Sequence, residues 1–257
     1  VFQTNGSKTM CEFAQYTVEL LKSVHTEERP TFYPVGGIEV AYTKDRWVDL
    51  HRRHGWAQSY GMETRMISPE EVQKHIPILN PDAIEGGYYI PSDGDANAVN
   101  AVEAMAEFTK EQNAVSYYGH TEVTGFEKKN GRVTAVVTDK GSIKTEQVLL
   151  ATNIWGPMLS DQLGVKLPLM AVEHQYLISE PLEELAGETR EIVHPILRNQ
   201  DFSMYFRQHK DAYGIGSYKH EPLLVDPYDV GKDAMRPFTP GDFKQAHMAT
   251  NDLLPPM

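Results

Sequence analysis

The sequence predicts an α/β (α+β) chain in which helices and short strands alternate and an antiparallel portion is added later in the chain. Up to residue 114 apolar residues mostly recur at helical spacing, and from residue 121 they alternate between glycine turns. The 257 residues suffice for one large domain or two small ones. From Pro168 onward strand-like segments dominate, so we expect two interleaved lobes.

Helices are predicted where an apolar stripe follows a capping residue. Ser7 and Ser68 are suitable N-caps, and two glutamates suit the first turn after Ser68. An alanine-rich amphipathic helix follows Asp95. The predicted helices cover residues 7–24, 44–61, 68–77, 96–114 and 154–164.

Strands are predicted between and after these helices. Asn130–Gly131 and Lys140–Gly141 are turn signals that predict a three-stranded meander from residue 121. The apolar run "VLLAT" that follows, residues 148–152, is typical of a central parallel strand buried on both faces. The other predicted strands cover residues 35–42, 86–90, 169–179, 203–209 and 213–218, and a loop covers 222–240.

The composition excludes several classes of protein. A net charge of −12 repels nucleic acid and anionic lipid, so neither is expected as a partner. No apolar run approaches the roughly 20 residues that span a bilayer. Cys11 is the only cysteine, which rules out an internal disulfide and favours a reducing compartment. Both ends read as interior sequence, so we expect a fragment of a longer chain.

Two polar motifs have a structural interpretation. His51 and His54 stand three apart in "HRRH", where two arginines oppose a cation and no third ligand follows. Asp93 and Asp95 lie in "PSDGD", which lacks the distal glutamate of a calcium loop. A solvated helix face accounts better for the two histidines, and a turn before a helix accounts better for the two aspartates. No metal site is predicted.

The turn "LLATNIWGP" is a candidate ligand site. A buried strand that ends in a turn opening a helix is where open α/β sheets bind ligands, and backbone amides there approach phosphates or cofactor edges. The residues concerned are Ala151, Thr152, Asn153 and Trp155. Many α/β proteins have such a turn, so the pattern alone does not identify a ligand.

His174 lies at the centre of a strand-like segment, "LPLMAVEHQYLIS". Alternation puts His174 on one face with Val172 and Tyr176, which favours a core histidine, although a pocket histidine fits as well. In "MYFRQH" the same alternation puts Tyr205 and Arg207 on one face. Titratable groups on two neighbouring strands would form a pocket for a small charged substrate.

The chain resembles the interior of the group of dimethylglycine oxidase, dimethylglycine dehydrogenase and sarcosine dehydrogenase. The resemblance rests on "VFQTNGSKTM", "VGGIEVA", "GGYYIPSDGDAN", "TEVTGFEKKNGRVTAVVTDKG", "LPLMAVEHQYLI", "PILRNQDFSMYFRQH" and "YGIGSYKHEP". It implies an FAD-dependent, D-amino-acid-oxidase-like fold of two lobes, here incomplete. Residues 1–30 and 86–165 are expected in a partial FAD-binding lobe, and residues 31–85 and 166–257 in the substrate lobe.

The resemblance also implies roles for single residues. His174 and Tyr205 would be catalytic on the substrate side of the flavin, which Tyr205 would contact. Arg207 is the candidate for binding the substrate carboxylate, because alternation, not the resemblance, puts it on the same face as Tyr205. Val123 would contact the adenine end of FAD through its backbone. Asn153 stands in the turn where family members show small residues, and asparagine tolerates positive φ.

The implied reaction is oxidation of an N-methylated amino acid by hydride transfer from the N-methyl carbon to flavin, in the cytoplasm or, in a eukaryote, the mitochondrial matrix. Oxygen or an electron-transfer flavoprotein would accept the electrons. The G-x-G-x-x-G fingerprint is absent from the sequence, so the fragment is expected to bind FAD poorly and to be inactive alone. Folate would bind only in a further C-terminal region. The alternatives are a non-catalytic or split-subunit lobe, and an oxidase of another secondary or tertiary amine.

Overall fold

The computed structural model describes residues 1–255. Side-chain oxygens of Thr43, Ser68 and Asn97 accept backbone N–H groups at the starts of three helices, which confirms Ser68 as a cap. The helices are α1 (Lys8–Ser23), α2 (Lys44–Ser59), α3 (Pro69–His75), α4 (Ala98–Glu111), α5 (Gly156–Leu163) and α6 (Pro240–Leu253). Within the described chain, none of them combines the length and apolar character that crossing a bilayer requires.

The strands are short and mostly antiparallel. The early strands are β1 (Phe32–Tyr33), β2 (Gly37–Ala41), β3 (Arg65–Ile67), β4 (Gly86–Ile90) and β5 (Asp95–Ala96). The meander comprises β6 (Val123–Lys129), β7 (Arg132–Thr138) and β8 (Gly141–Lys144). The later strands are β9 (Ala171–Glu173), β10 (Tyr176–Ile178), β11 (Ile196–Asn199), β12 (Met204–His209), β13 (Ala212–Ser217) and β14 (Leu223–Val225).

A seven-stranded mixed sheet organises the larger part of the chain. Its order is β10-β13-β12-β11-β2-β4-β3, and only β2 and β11 pair in parallel. One face is apolar: Ile38, Leu197 and Phe206 point from it into the main core, where Phe243 and Leu253 of α6 cover them.

The described residues form two compact units. The larger unit comprises Val1–Ala114, His174–Glu221 and the residues from Phe238 onward, and it contains the seven-stranded sheet. The smaller unit comprises Val115–Glu173 and Pro222–Pro237. These bounds differ from the two predicted lobes. Because compactness does not reveal what a unit binds, the assignment of an FAD-binding and a substrate lobe stays a prediction.

The smaller unit contains the predicted meander, in the order β6-β7-β8. Asn130 and Gly131 have φ of 49° and 76°, the backbone that a tight hairpin turn requires. In the same unit β9 pairs with β14, and Ala171, Val225 and Val230 form a small apolar cluster.

Three expectations were wrong. Residues 148–152 form no strand, because none of the described strands pairs with them, and Leu149 is 90% exposed. The single strand predicted over 169–179 is divided: β9 pairs with β14 and β10 with β13, so His174 lies between two strands. The predicted loop 222–240 contains β14, and sequence patterns did not reveal α6.

Candidate active site

One lateral row of residues crosses the larger sheet. In register, Tyr176 pairs with Gly216, Gly216 with Tyr205, Tyr205 with Arg198, and Arg198 with Glu39. Directly opposite residues on neighbouring strands point to the same face. The row therefore puts two phenols, a guanidinium and a carboxylate side by side on the face opposite the main core.

Helices cover only part of this face. On the β2–β4–β3 half, Tyr88 and Ile90 pack with Cys11 of α1 and with Leu50 and Ala57 of α2. On the other half, Tyr176 remains 37% exposed. There a cavity of about 330 Å³ opens, lined by Val1, Phe2, Asp95, Tyr176, Ile196, Leu197, Arg198, Gln200, Tyr205, Phe206, Arg207 and Tyr218.

Glycines in β13 make room for the aromatic rings. A Cβ on Gly216 would overlap the Tyr205 ring, and one on Gly214 would overlap the Tyr176 hydroxyl. Tyr176 stacks on Tyr205 at 6.0 Å between ring centroids, and Tyr205 on Tyr218 at 5.3 Å. The alternating glycines of "YGIGSY" thus allow three tyrosines to line one side of the cavity.

His174 lies at the edge of this aromatic group. Its ring meets Tyr218 edge-on at 4.5 Å, and its Nδ1 is 3.1 Å from Nε2 of His220. Partial burial, and then the neighbouring His220, lower the pKa of His174. A lowered pKa keeps the imidazole neutral, as a proton acceptor must be.

The alternation predicted around His174 is confirmed, but the face predicted to be buried is the exposed one. Ala171 and Gln175 are buried, whereas Val172, His174 and Tyr176 are exposed. The core-histidine interpretation is therefore wrong. Period-2 alternation separates two faces, but it does not say which one packs when both carry apolar residues.

Tyr205 is half-buried on β12. Its ring contacts Tyr218, and the ring of His174 contacts the same tyrosine. Burial, and then the adjacent Tyr218, raise the pKa of its phenol. The hydroxyl therefore stays protonated and is available as a hydrogen-bond donor. The structure thus brings Tyr205 and His174, two residues predicted from sequence, around one tyrosine.

Arg207 lines the same cavity but is already paired. Its Nη2 lies 2.9 Å from Asp95 and 2.8 Å from Glu191, and its Nη1 contacts His209. Two carboxylates therefore balance its charge. Asp95 therefore forms an ion pair with Arg207 and also lies at the turn before a helix.

Arg198 is a cavity residue that sequence analysis missed. Its guanidinium lies 4.6 Å from the centroid of the Phe2 ring. The Gln200 amide oxygen, turned toward it, accepts from Nε and Nη2 at 2.8 and 2.6 Å. Among residues 1–255, no carboxylate lies within salt-bridge distance of this guanidinium. Only the register with Tyr205 reveals that Arg198 faces the cavity.

Two buried carboxyl groups lie near this arginine. Asp93 is fully buried, and burial raises its pKa to about 7, against opposing hydrogen bonds from Gln3. Glu39 is buried beside Arg53, 3.2 Å away, and burial raises its pKa as well. Carboxyl groups with raised pKa carry less negative charge toward Arg198.

The predicted turn lies in the smaller unit. Val123 and Trp155 line a cavity of about 650 Å³ there, and Trp155 Nε1 donates to the Gly231 carbonyl at 3.0 Å. Asn153 has φ of 47°, which confirms the tolerance expected of asparagine at this position. Ala151 is exposed and does not line the cavity.

The residues at both places fit parts of an FAD molecule. In the larger unit, an open face of aromatic rings and one guanidinium suits a flat, partly polar ring system. In the smaller unit, the Thr152 hydroxyl oxygen is buried without a hydrogen-bond partner, in the turn that contains Asn153. Buried polar atoms are normally satisfied, so this oxygen suits a polar ligand group.

An α/β chain with an open aromatic sheet face and a histidine held neutral at its edge suits a cofactor-dependent oxidoreductase. Residues 3–257 match the family described as FAD dependent oxidoreductase, and the chain belongs to that family. The expected D-amino-acid-oxidase-like α/β fold is thereby confirmed.

Curated relatives share part of their length with the chain. Mouse mitochondrial sarcosine dehydrogenase is 28% identical over 74% of this chain and 20% of its own length. Human mitochondrial dimethylglycine dehydrogenase is 29% identical over 75% and 22%. The mouse mitochondrial pyruvate dehydrogenase phosphatase regulatory subunit is 29% identical over 87% and 25%. The chain thus spans between a fifth and a quarter of these relatives.

Solved structures show the same fold. The L-proline dehydrogenase from P. horikoshii superposes with a TM-score of 0.82, covering 99% of this chain and 65% of that one at 24% identity. At this identity the likeness establishes the fold.

Proposed function

We propose that this chain forms the substrate-holding part of an FAD-dependent oxidoreductase that oxidises an N-methylated amino acid such as dimethylglycine or sarcosine. One observation carries the proposal: Tyr218 contacts both His174 and Tyr205, beside a cavity that also presents Arg198. These side chains supply a proton acceptor, a hydrogen-bond donor and a cation. A zwitterionic amino acid requires all three.

Each side chain has a stated part in the proposed reaction. His174 accepts the proton of the substrate ammonium group. This frees the nitrogen lone pair, which the hydride needs in order to leave the N-methyl carbon. Tyr205 donates a hydrogen bond that orients the substrate. Arg198 binds the carboxylate through charge-assisted hydrogen bonds, with Arg207 as the second candidate because two carboxylates already engage it.

FAD, when bound, supplies the two-electron acceptor. Tyr176, Tyr205 and Tyr218 would face its ring system in the larger unit. In the smaller unit Val123 of β6 and the turn residues Ala151, Thr152, Asn153 and Trp155 are the candidates for holding a further part of the cofactor. Catalysis by this chain alone is not expected, since it carries no glycine fingerprint for the dinucleotide.

The decisive experiment uses the full-length protein that carries this chain, loaded with FAD. Dimethylglycine, sarcosine and unmethylated glycine are added anaerobically, and bleaching of the flavin absorbance is followed. The proposal expects bleaching by the methylated substrates, at a rate that His174→Ala lowers strongly. It fails if no N-methylated amino acid reduces a flavin that is demonstrably bound, and reduction by another secondary or tertiary amine instead would indicate an oxidase of that amine. Reoxidation by oxygen or by an electron-transfer flavoprotein then identifies the acceptor.

A second candidate function is that of a non-catalytic lobe. The relative named as a phosphatase regulatory subunit, which aligns with 87% of this chain, favours it. Under this alternative the protein binds FAD or a partner subunit but no amine reduces it. The same anaerobic assay, repeated with candidate partner subunits, separates a regulatory lobe from one half of a split oxidase.

A further inference from the structure

A chain of hydrogen bonds leads from His174 to the backbone. Nδ1 of His174 lies 3.1 Å from Nε2 of His220, and Nδ1 of His220 lies 2.7 Å from the Glu221 carbonyl oxygen. The two imidazoles are therefore joined nitrogen to nitrogen, and the far end of the chain is an atom that only accepts.

The accepting carbonyl determines where the protons lie. Because a carbonyl oxygen has no proton to give, Nδ1 of His220 must donate to Glu221. Neutral His220 then has a bare Nε2, which can only accept. Nδ1 of His174 must therefore carry a proton, and its Nε2 is left with a free lone pair.

We infer that His220 is a positioning residue that holds His174 in the Nδ1–H tautomer and so makes Nε2 the proton acceptor. The inference deepens the proposed function and rests on it for its catalytic meaning. The hydrogen bond that one ring nitrogen makes decides which nitrogen carries the proton, so the neighbour selects the tautomer of His174.

Protonation of His220 reverses the arrangement. Both nitrogens of a charged His220 donate, so Nδ1 of His174 must accept and its remaining proton moves to Nε2. The titratable groups around the pair are Tyr218, which packs against His174, and Lys219, Glu221 and Asp242, which line a shallow cavity beside His220. The Nδ1–H tautomer of His174 therefore requires a neutral His220.

Nitrogen NMR of the intact chain tests this directly and requires no flavin. Histidine side chains are labelled with ¹⁵N, and the His174 signals are assigned by their loss in His174→Gln. At about pH 8, above the ~6.5 at which histidine ordinarily titrates, we expect a protonated-type Nδ1 and a bare-type Nε2. His220→Gln should keep this pattern, because its amide oxygen can still accept. His220→Ala should shift His174 toward the Nε2–H form.

Two results would overturn the inference: a protonated Nε2 on His174 in the unaltered chain, or an unchanged tautomer in His220→Ala. Unchanged far-UV circular dichroism shows that each variant is folded. In the FAD-loaded full-length protein, His220→Ala should slow flavin reduction at least tenfold while His220→Gln retains it. If the NMR pattern is as expected but no amine bleaches the flavin, the proposed function fails and the tautomer assignment stands.

Discussion

Gly216 lies directly opposite Tyr205 across β13 and β12, and the space that a Cβ would need is occupied by the Tyr205 ring. The Tyr205 ring can occupy this position because Gly216 on the neighbouring strand has no side chain. Since the same ring stacks on Tyr176 and Tyr218, displacing it would disturb the whole aromatic side of the cavity.

We therefore expect Gly216→Ala to destabilise the protein by about 1–3 kcal/mol, the usual cost of overpacking. Urea unfolding of the isolated chain measures the change. Gly55→Ala is the matched control, because Gly55 lies within α2 with nothing within 4 Å of a built Cβ. There alanine should stabilise by about 0.5–1 kcal/mol. Equal effects at the two positions would contradict the packing explanation.

The two arginines of the cavity should differ in what they control. Arg198 lacks a carboxylate partner among the described residues, so Arg198→Gln should raise the Kd of dimethylglycine about 10- to 100-fold. Dimethylamine, which has no carboxylate, should bind both forms equally weakly. Flavin perturbation spectra of the full-length protein measure both affinities.

Arg207→Gln should act on stability. It leaves Asp95 and Glu191 without their shared cation in a partly buried place, which we expect to cost about 1–3 kcal/mol. Urea unfolding measures this loss. If Arg207→Gln weakened carboxylate binding and Arg198→Gln did not, the assignment of the two arginines would be reversed.

Sequence patterns predicted the meander and five of the six described helices, because turns and caps are local. These patterns failed where the structure of a segment depends on the strands or side chains that it contacts elsewhere in the chain. The run "VLLAT" is apolar enough for a buried strand, but no described strand pairs with it. Arg198 and Tyr218 join the site through register and ring contacts with Tyr205, neither of which a single segment reveals.

Asp93 should make the protein less stable as pH rises. Burial raises the pKa of its carboxyl to about 7, so the folded state holds a proton that the unfolded state has lost above its ordinary 3.8. Stability from this group is full below about pH 4 and is lost toward pH 7. Asp93→Asn keeps the acceptor for Gln3, so it should gain at least about 1 kcal/mol at pH 8. Urea unfolding at pH 5 should show a smaller gain, and a pH-independent effect would refute the cause.

His194 should give the opposite dependence. Burial lowers its pKa, and its Nδ1 lies 2.6 Å from the Tyr213 hydroxyl oxygen. The unfolded chain therefore binds more protons, so this contribution is full above about pH 6.5 and is lost as pH falls through the lower folded pKa. In His194→Gln the fall in unfolding free energy between about pH 7.5 and about pH 5 should be smaller than in the unaltered protein. A fall as large as that of the unaltered protein would mean that His194 is protonated in the folded protein as readily as in the unfolded chain.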